Sequence, residues 1–287
     1  MGLLVLLLGP ALAGCSAVRL AYDTGPQLAW WWLDGYVDFS AAQEPQVKAD
    51  LRELFAWNRQ TQLPSWAALL GEAEADAGRP ATPALACRWA DRLRDALQPT
   101  IDHGLVQAAD LVPGLGPPQF SAIDRHFAKV MRQMREDYLQ PDLAARHEAS
   151  VERTVERVER LYGRLQAPQR RVIEAGIAAS PFDPEAWAAE RRRRQIDTLQ
   201  TLRRLVAERA GPAERLAALR GLVDKLEHSP DPAYRAYQQR LVAYSCAFAA
   251  RIHNATTPAQ RAHAQGVLQG WREDFSELAA TPPVPPG

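Results

Sequence analysis

Apolar residues recur along this chain at the spacing of an α-helix. One stripe near the middle steps by three and four residues: Val151, Val155, Val158, Tyr162 and Leu165. A second stripe, near the C-terminus, has similar steps: Val267, Trp271, Phe275 and Leu278. Such steps place side chains on one helical face, whereas a half-buried strand alternates every two residues. No stretch alternates convincingly, so the pattern predicts an all-α fold without a sheet.

Prolines indicate where the helices begin. Seven of them follow a small or capping residue: Gly25-Pro26, Thr82-Pro83, Gly116-Pro117, Asp183-Pro184, Gly211-Pro212, Asp231-Pro232 and Thr257-Pro258. Proline is tolerated at the first helical position, and Thr, Asp and Gly are favoured before it. Thr257 and Gln260 also have the spacing of a capping box, and so do Ser40 and Gln43.

Together these signals predict a bundle of about ten mostly antiparallel helices, since short connections favour antiparallel neighbours. The predicted ranges, one or two of them continuous, are 26–35, 45–61, 64–77, 83–111, 118–139, 142–166, 168–178, 184–210, 212–228, 232–254 and 258–279. We expect one helical domain over residues 15–280, followed by a disordered Pro-rich tail at 281–287.

The first fourteen residues form an apolar leader that ends at Leu12-Ala13-Gly14-Cys15. About a dozen apolar residues are too few to cross a bilayer core, so residues 1–14 are predicted to be a signal peptide. The tetrapeptide resembles the lipobox of bacterial lipoproteins, which implies cleavage before Cys15 and acylation of that residue. The alternative is a buried N-terminal helix with an ordinary cysteine. No Lys or Arg precedes Cys15, although signal peptides usually have a positive n-region.

The resemblance to lipoproteins also implies a location. Ser16, rather than Asp, follows the cysteine, which points to the outer membrane, with the protein facing the periplasm. The membrane is then a partner through the lipid anchor. The 34 basic and 34 acidic residues cancel, so no net field attracts nucleic acid.

Two cysteines remain beyond the leader. An oxidising periplasm allows Cys87 and Cys246 to pair. On its predicted helix, Cys87 lies off the apolar stripe of Leu85, Trp89 and Leu93, where a free thiol would be exposed. We therefore predict a disulfide between the two cysteines; the alternative is two partly buried free thiols.

Aromatic residues concentrate near the N-terminus, where Trp30, Trp31 and Trp32 are consecutive and Tyr36 follows one turn later. Tryptophan prefers the membrane–water interface, so these side chains could face the bilayer beside the anchor. The alternative is core packing. Three successive helical residues spread over about 200°, so at least one tryptophan should face inward.

Three motifs accompany this segment: Arg19-Leu20-Ala21-Tyr22, Trp31-Trp32-Leu33-Asp34-Gly35-Tyr36, and Trp57-Asn58-Arg59 with Leu63-Pro64. Together with the lipobox they resemble an uncharacterised family of Gram-negative lipoproteins. The resemblance implies a lipid-anchored helical protein and carries no established activity. The family commonly has His where this chain has Asn58, so no titrating role is implied at that position.

Signatures of the common enzyme sites are missing from the sequence. It contains no His-Glu-x-x-His, no Gly-x-Ser-x-Gly, no P-loop and no dinucleotide-binding glycine pattern, and its histidines are scattered. We predict no catalytic residue, no metal and no cofactor. Arg191 to Arg194 form a basic run that either contacts anionic headgroups or is a solvated face paired with Glu185 and Glu190; we favour the second interpretation.

These observations predict a lipid-anchored envelope lipoprotein with a structural or binding role, whose partner is an envelope protein or a lipid. One alternative is a chaperone-like adaptor. The segments 165–170 and 256–261, which contain Gln169 and Gln260, faintly resemble the Leu-Thr-x-x-Gln motifs of small periplasmic stress chaperones. The other alternative is an envelope hydrolase, which would require a cleft with converging polar groups; an exposed concave apolar face would favour a binding protein.

Overall fold

The structure is a computed structural model that describes residues 15–281, except for the side chains of residues 15–21 and 23. Within this range it contains eleven α-helices and no strand, which confirms the predicted all-α bundle. The predicted signal peptide lies outside the described residues, and so does the Pro-rich tail from residue 282 onward.

The helices closely follow the predicted ranges beyond the first. Their bounds are Cys15–Val37 (α1), Glu44–Thr61 (α2), Leu63–Ala77 (α3), Pro83–Leu111 (α4), Pro117–Tyr138 (α5), Leu143–Tyr162 (α6), Ala167–Ala178 (α7), Pro184–Ala207 (α8), Pro212–Glu227 (α9), Pro232–Ala255 (α10) and Pro258–Ala280 (α11). A short 3₁₀ turn, Val112–Gly114, links α4 to α5.

Six of the seven predicted proline starts are confirmed, at α4, α5, α8, α9, α10 and α11. The Asp231 carboxylate accepts the N–H groups of Ala233 and Tyr234, at 2.8 and 3.3 Å. Thr257 and Gln260 form the predicted capping box, in which each side chain accepts the backbone N–H of the other residue. These caps satisfy N–H groups that the first helical turn leaves unpaired.

The seventh start, at Gly25-Pro26, was predicted wrongly, because α1 begins at Cys15 and continues through Pro26. Gly25 has a packing role instead of a capping role: a Cβ atom at this position would overlap the Phe55 ring of α2. The glycine therefore lets α1 and α2 approach closely. A contact with a residue thirty positions away leaves no trace in the local sequence.

The helices pack mainly in pairs. α3 packs against α11, α4 against α10, and α1 against α2, while α8 contacts both α5 and α9. Buried apolar residues form several separate clusters between them. One joins α6, α7 and the loop between them: Val151, Val155, Leu165 and Ile173. Another joins α4, α8 and α9 and includes Ala109, Leu205 and Leu219. The predicted stripe of α6 thus faces the interior.

The stripe predicted for α11 is only partly correct. Trp271 is 41% exposed, and the buried positions of this helix are Ala264, Leu268, Asp274 and Leu278. The buried residues of the facing helix α3 include Ala67 and Ala77, and small residues allow a close approach along a narrow face. None of the helices in the described range has the length and hydropathy that a membrane span requires.

Candidate functional site

The predicted lipidation residue and the aromatic segment belong to one helix. Cys15 is the first residue of α1, which runs without interruption to Val37. The Cys15 side chain lies outside the described residues, so its acylation stays a prediction. Trp30 to Trp32 and Tyr36 lie on the same helix, and Trp31 is about 24 Å from Cys15 along the helix axis.

The three consecutive tryptophans divide between the interior and the surface. Trp30 is 6% exposed and packs with Val47 and Leu51 of α2. Its ring stacks on Phe39 at a centroid distance of 5.8 Å, and the Lys48 ammonium lies 5.0 Å above it. Trp30 therefore fastens α1 to α2.

Trp31 and Trp32 face outward, with exposed fractions of 61% and 62%, and the neighbouring Leu28 is 50% exposed. We call these three residues the aromatic patch. Tyr36 lies at its edge, where it contacts the Trp32 ring and stacks on His126 at a centroid distance of 3.5 Å. The segment thus contains both a core residue and an exposed apolar surface.

Two of the family-like motifs, those that contain Tyr22 and Asn58-Arg59, meet in the interior. The Tyr22 hydroxyl donates to Asn58, and the Asn58 amide donates to Thr100 at 2.7 Å. Burial raises the pKa of Tyr22 to about 12, against a smaller opposing effect of Arg59. Arg59 is itself buried and donates to the carbonyl oxygen of Leu278 at 2.6 Å. These hydrogen bonds join α1, α2, α4 and α11, so the residues that form them have a structural role.

The two cysteines beyond the leader form the predicted disulfide. The bond joins Cys87 of α4 to Cys246 of α10, with a Cα–Cα distance of 5.2 Å. These two helices pack against each other in the bundle. The disulfide prediction is confirmed.

The two chaperone-like segments also meet, through a pair of glutamines. Gln169 Nε2 donates to Gln260 Oε1 at 2.5 Å, and Gln260 Nε2 donates to Gln169 Oε1 at 3.1 Å. Each glutamine caps the start of its own helix by accepting the N–H of Gln166 or of Thr257. The pair therefore holds the N-termini of α7 and α11 together.

A second pair of glutamines consists of Gln43, which precedes α2, and Gln119, which caps α5. The predicted capping box of Ser40 and Gln43 is incomplete, because no side chain caps the start of α2. Gln43 Oε1 accepts the Ser40 N–H at 2.9 Å, and Gln119 Oε1 accepts the Gly116 N–H at 3.0 Å. Gln119 Nε2 then donates to Gln43 Oε1 at 3.4 Å. This second pair shares one hydrogen bond, whereas Gln169 and Gln260 share two.

A cavity of about 250 Å³ with a mixed polar and apolar lining, which we call the α8 pocket, lies beside the basic run of α8. Side chains from five helices surround it: Tyr36, Phe127, Trp187, Glu190, Arg191, Arg194, Gln195, Thr198, Leu226 and Tyr234. The predicted pairing of the basic run with Glu190 is confirmed for two arginines. Arg193 and Arg194 bind the Glu190 carboxylate at 2.7 and 2.9 Å.

Glu190 is 4% exposed, so its charge depends on these partners. Burial raises its pKa, but hydrogen bonds from Arg193, Ser229 and Arg194 outweigh burial and lower the pKa of Glu190 to about 2. The carboxylate therefore stays ionised at neutral pH. An acid–base catalyst needs a pKa near the working pH, so this geometry favours an electrostatic role for Glu190.

Two polar atoms at the pocket have no hydrogen-bond partner among the described residues: Arg191 Nε and Gln195 Oε1. Gln195 is 6% exposed, and the Arg191 guanidinium lies 5.9 Å from the Trp187 ring centroid. The sequence alone did not single out Gln195, Trp187 or Tyr234. The one available signal was the four-residue spacing between Trp187 and Arg191, which places both on one helical face.

Within residues 15–281, no group of three His, Cys, Asp or Glu side chains is placed to hold a metal ion. A model for a family of unknown function (DUF6279) matches residues 35–231, which include most of the α8 pocket. No curated protein and no solved structure matches the chain.

Proposed function

The chain belongs to this family of unknown function, and we propose that it is an envelope lipoprotein, anchored through Cys15 at the periplasmic face of the outer membrane, with a binding role. The proposal rests on the different surroundings of the three cysteines. Cys87 and Cys246 form a disulfide, a bond that persists in oxidising compartments such as the periplasm. The third cysteine, Cys15, is the one in the lipobox-like tetrapeptide.

The aromatic patch supports contact with the bilayer. Leu28, Trp31 and Trp32 are exposed on the helix that begins at Cys15. Tryptophan rings are favoured at the headgroup level, where the ring is partly buried and its N–H can reach a polar group. A lipid anchor and an exposed aromatic patch on one helix give two membrane contacts, which together hold better than one.

The α8 pocket supports binding over hydrolysis. An envelope hydrolase would need an activated nucleophile or an acid with a pKa near neutrality. At the α8 pocket the buried acid, Glu190, is kept ionised by its arginines, and the lining residues include no Ser, Cys or His. The α8 pocket thus has the converging polar groups that a hydrolase requires, but its buried acid is held as a carboxylate, so we infer binding without hydrolysis.

Metabolic labelling with radioactive palmitate tests the anchor. The chain is expressed in a Gram-negative host, with two lysines added to the leader to ensure export. We expect label in the wild type and in the Cys87→Ser/Cys246→Ser double variant, but none in Cys15→Ser. Equal labelling of wild type and Cys15→Ser would contradict the proposal.

Sedimentation with anionic phospholipid vesicles tests the patch, using the unlipidated Cys15→Ser chain. Removing two interfacial indoles loses well over 1.4 kcal/mol of apolar burial, so Trp31→Ala/Trp32→Ala should bind vesicles at least about tenfold more weakly. Trp271→Ala is the matched control, because Trp271 is also exposed but lies on α11. Equal weakening by both variants would contradict a specific patch.

A second candidate, the chaperone-like adaptor, is favoured by two observations. The chaperone-like segments meet in the Gln169–Gln260 pair. In addition, Leu93, Leu97 and Ile101 form an exposed apolar stripe on α4, with exposed fractions of 53, 47 and 38%. Such a stripe suits apolar segments of unfolded proteins. Suppression of citrate synthase aggregation at 43 °C by the wild type, but not by Leu97→Glu, would support this role; no suppression by the wild type would exclude it.

A further inference from the structure

Helices α5 and α8 border an open groove of about 500 Å³, which we call the α5–α8 groove. Three arginines line it: Arg132 and Arg135 of α5 and Arg192 of α8. All three side chains are exposed, so a molecule in the groove can reach them. The groove differs in this respect from the α8 pocket, whose unpaired polar atoms are buried.

The three guanidinium groups of the groove are unpaired. Within residues 15–281, none of them forms a hydrogen bond, an ion pair or a ring contact. Their neighbours on α8 are paired, since Arg193 and Arg194 bind Glu190 at 2.7 and 2.9 Å. The donors that line the groove are therefore available to a ligand.

The two helices run in opposite directions along the groove. Tyr138, the last residue of α5, contacts Trp187 near the start of α8, with 5.1 Å between the ring centroids. Phe120, near the start of α5, belongs to the same buried cluster as Leu199, in the last third of α8. Residues late in α5 therefore lie beside residues early in α8.

This direction separates the charges along the groove. Asp124, the first lining residue of α5, lies toward one end, and Glu185, the first of α8, lies toward the other. Arg132 and Arg192 lie between these carboxylates, on opposite walls. Neither carboxylate forms an ion pair with the arginines in the part of the chain that the structure describes. The middle of the groove thus carries a positive charge that favours an anion.

The number of donors favours a phosphate monoester among anions. A monoester has three terminal oxygens and a charge of roughly −1.5 to −2 at pH 7, whereas a carboxylate has two oxygens and one charge. Arginine suits such groups, because its planar, permanently charged fork donates to two phosphate oxygens at once. The three arginines supply donors for all three oxygens.

The rest of the lining is apolar. Ala128, Ala188 and Ala189 have small side chains, which leave the groove open between the two arginine-bearing walls. Met131 adds a flexible apolar surface. An apolar part of a ligand can therefore pack beside its phosphate.

We propose that the α5–α8 groove binds a phosphate monoester, with the phosphate on Arg132, Arg135 and Arg192. The group is bound and no bond in it is broken. Its source is either a soluble phosphate ester or the head group of a phospholipid. The inference goes beyond the proposed function, since it requires neither the lipid anchor nor the aromatic patch.

Isothermal titration calorimetry tests this with the full-length protein, purified from membranes in a nonionic detergent. Glycerol 3-phosphate is the probe. Glycerophosphoglycerol, a diester with one charge and two free oxygens, is the comparison ligand. Because the diester loses a charge-assisted hydrogen bond, it should bind at least about tenfold more weakly.

Dihexanoyl phosphatidate, which carries the same phosphate with two short acyl chains, distinguishes the two sources. Binding at least about tenfold tighter than that of glycerol 3-phosphate assigns a phospholipid, because the acyl chains then bury apolar surface in the groove. A smaller gain, or none, assigns a soluble ester. The heat of titration into detergent micelles alone is subtracted.

Three variants locate the site. Arg132→Gln/Arg192→Gln should weaken glycerol 3-phosphate binding at least about tenfold, because it removes donors from both walls. Asp124→Asn should strengthen binding, because it removes a negative charge from the groove; a damaged fold would not produce such a gain. Arg157→Gln/Arg160→Gln is the matched control, because it removes the same charge from two exposed arginines of α6. Far-UV circular dichroism and urea midpoints confirm that each variant is folded.

Four outcomes would overturn the proposal. They are no binding of glycerol 3-phosphate by the folded wild type, equal affinity for the monoester and the diester, weaker binding by Asp124→Asn, or equal weakening by the two double variants. None of them bears on the palmitate label at Cys15 or on vesicle binding by the aromatic patch, so failure of this proposal is distinguishable from failure of the lipoprotein proposal.

Discussion

Two polar regions inside the bundle differ in how completely they are paired. The first, which we call the α7–α11 corner, contains Gln169, Gln260 and His253. His253 is 8% exposed; its Nδ1 lies 2.8 Å from the Tyr162 hydroxyl, and its Nε2 lies 2.7 Å from the carbonyl oxygen of Arg79. The glutamines bond to each other and to nearby backbone. The second region is the α8 pocket, where Arg191 Nε and Gln195 Oε1 have no partner among the described residues.

The difference separates a fully paired polar network from one that is only partly paired. In the α7–α11 corner the bonds between Gln169 and Gln260, and those of His253, join different segments of this chain, so these polar groups hold helices in place. Beside the α8 pocket the Glu190 carboxylate is paired in the same way, but Arg191 Nε and Gln195 Oε1 are buried without a partner among the described residues. Buried polar groups without partners are rare in native proteins, and each such group costs free energy that a paired group does not.

The largest expected effect concerns the disulfide near the corner. Cys87→Ser/Cys246→Ser should lower the free energy of unfolding by several kcal/mol, up to about 5, because the bond closes a loop across a sequence separation of 159 residues. Urea unfolding of the Cys15→Ser chain, with and without the double substitution, measures the loss. A change below 1 kcal/mol would show that α4 and α10 hold together without the bond.

The next largest expected effect concerns the Glu190 carboxylate beside the α8 pocket, and it depends on pH. The pKa of Glu190 is lowered from its ordinary 4.5 to about 2. The carboxylate therefore stabilises the fold fully above pH 4.5, on the order of 3 kcal/mol, and this contribution is lost as the pH falls towards 2.

Urea unfolding of the wild type and Glu190→Gln from pH 7 to pH 2.5 measures this contribution. The variant should be less stable at pH 7, because it leaves two arginines without their carboxylate. The difference between the two proteins should shrink below pH 4.5. A difference that stays constant with pH would contradict the lowered pKa.

The smallest expected effect compares the same substitution, glutamine to leucine, in the two regions. Gln169→Leu should cost about 1–3 kcal/mol, because it leaves Gln260, the Gln166 N–H and the Ala255 carbonyl with fewer partners. Gln195→Leu should leave stability unchanged or slightly higher, because it removes a buried oxygen that has no partner. Equal losses at both positions would remove the distinction between the two regions.

The sequence by itself determined the helices, because their signals are local. A proline after Asp, Thr or Gly predicts a helix start whatever lies elsewhere in the fold, and six of seven such starts are confirmed. The pairing of Arg193 and Arg194 with Glu190 was predictable for the same reason, since residues three and four apart are neighbours on a helix. The disulfide followed once the periplasm was assumed, as only two cysteines remained.

The packing of the helices against one another was decided only by the tertiary structure. Gly25 was predicted to cap a helix, but its lack of a side chain leaves room for the Phe55 ring. Of the three consecutive tryptophans, only Trp30 is buried, because of how α1 packs against its neighbours. The α8 pocket joins Tyr36 of α1 to Tyr234 of α10, residues that are distant in sequence. Whether a buried glutamine is paired, as Gln169 is, or open, as Gln195 is, depends on atoms that other helices bring to it. Periodicity shows which face of a helix is apolar, but not which neighbour meets that face.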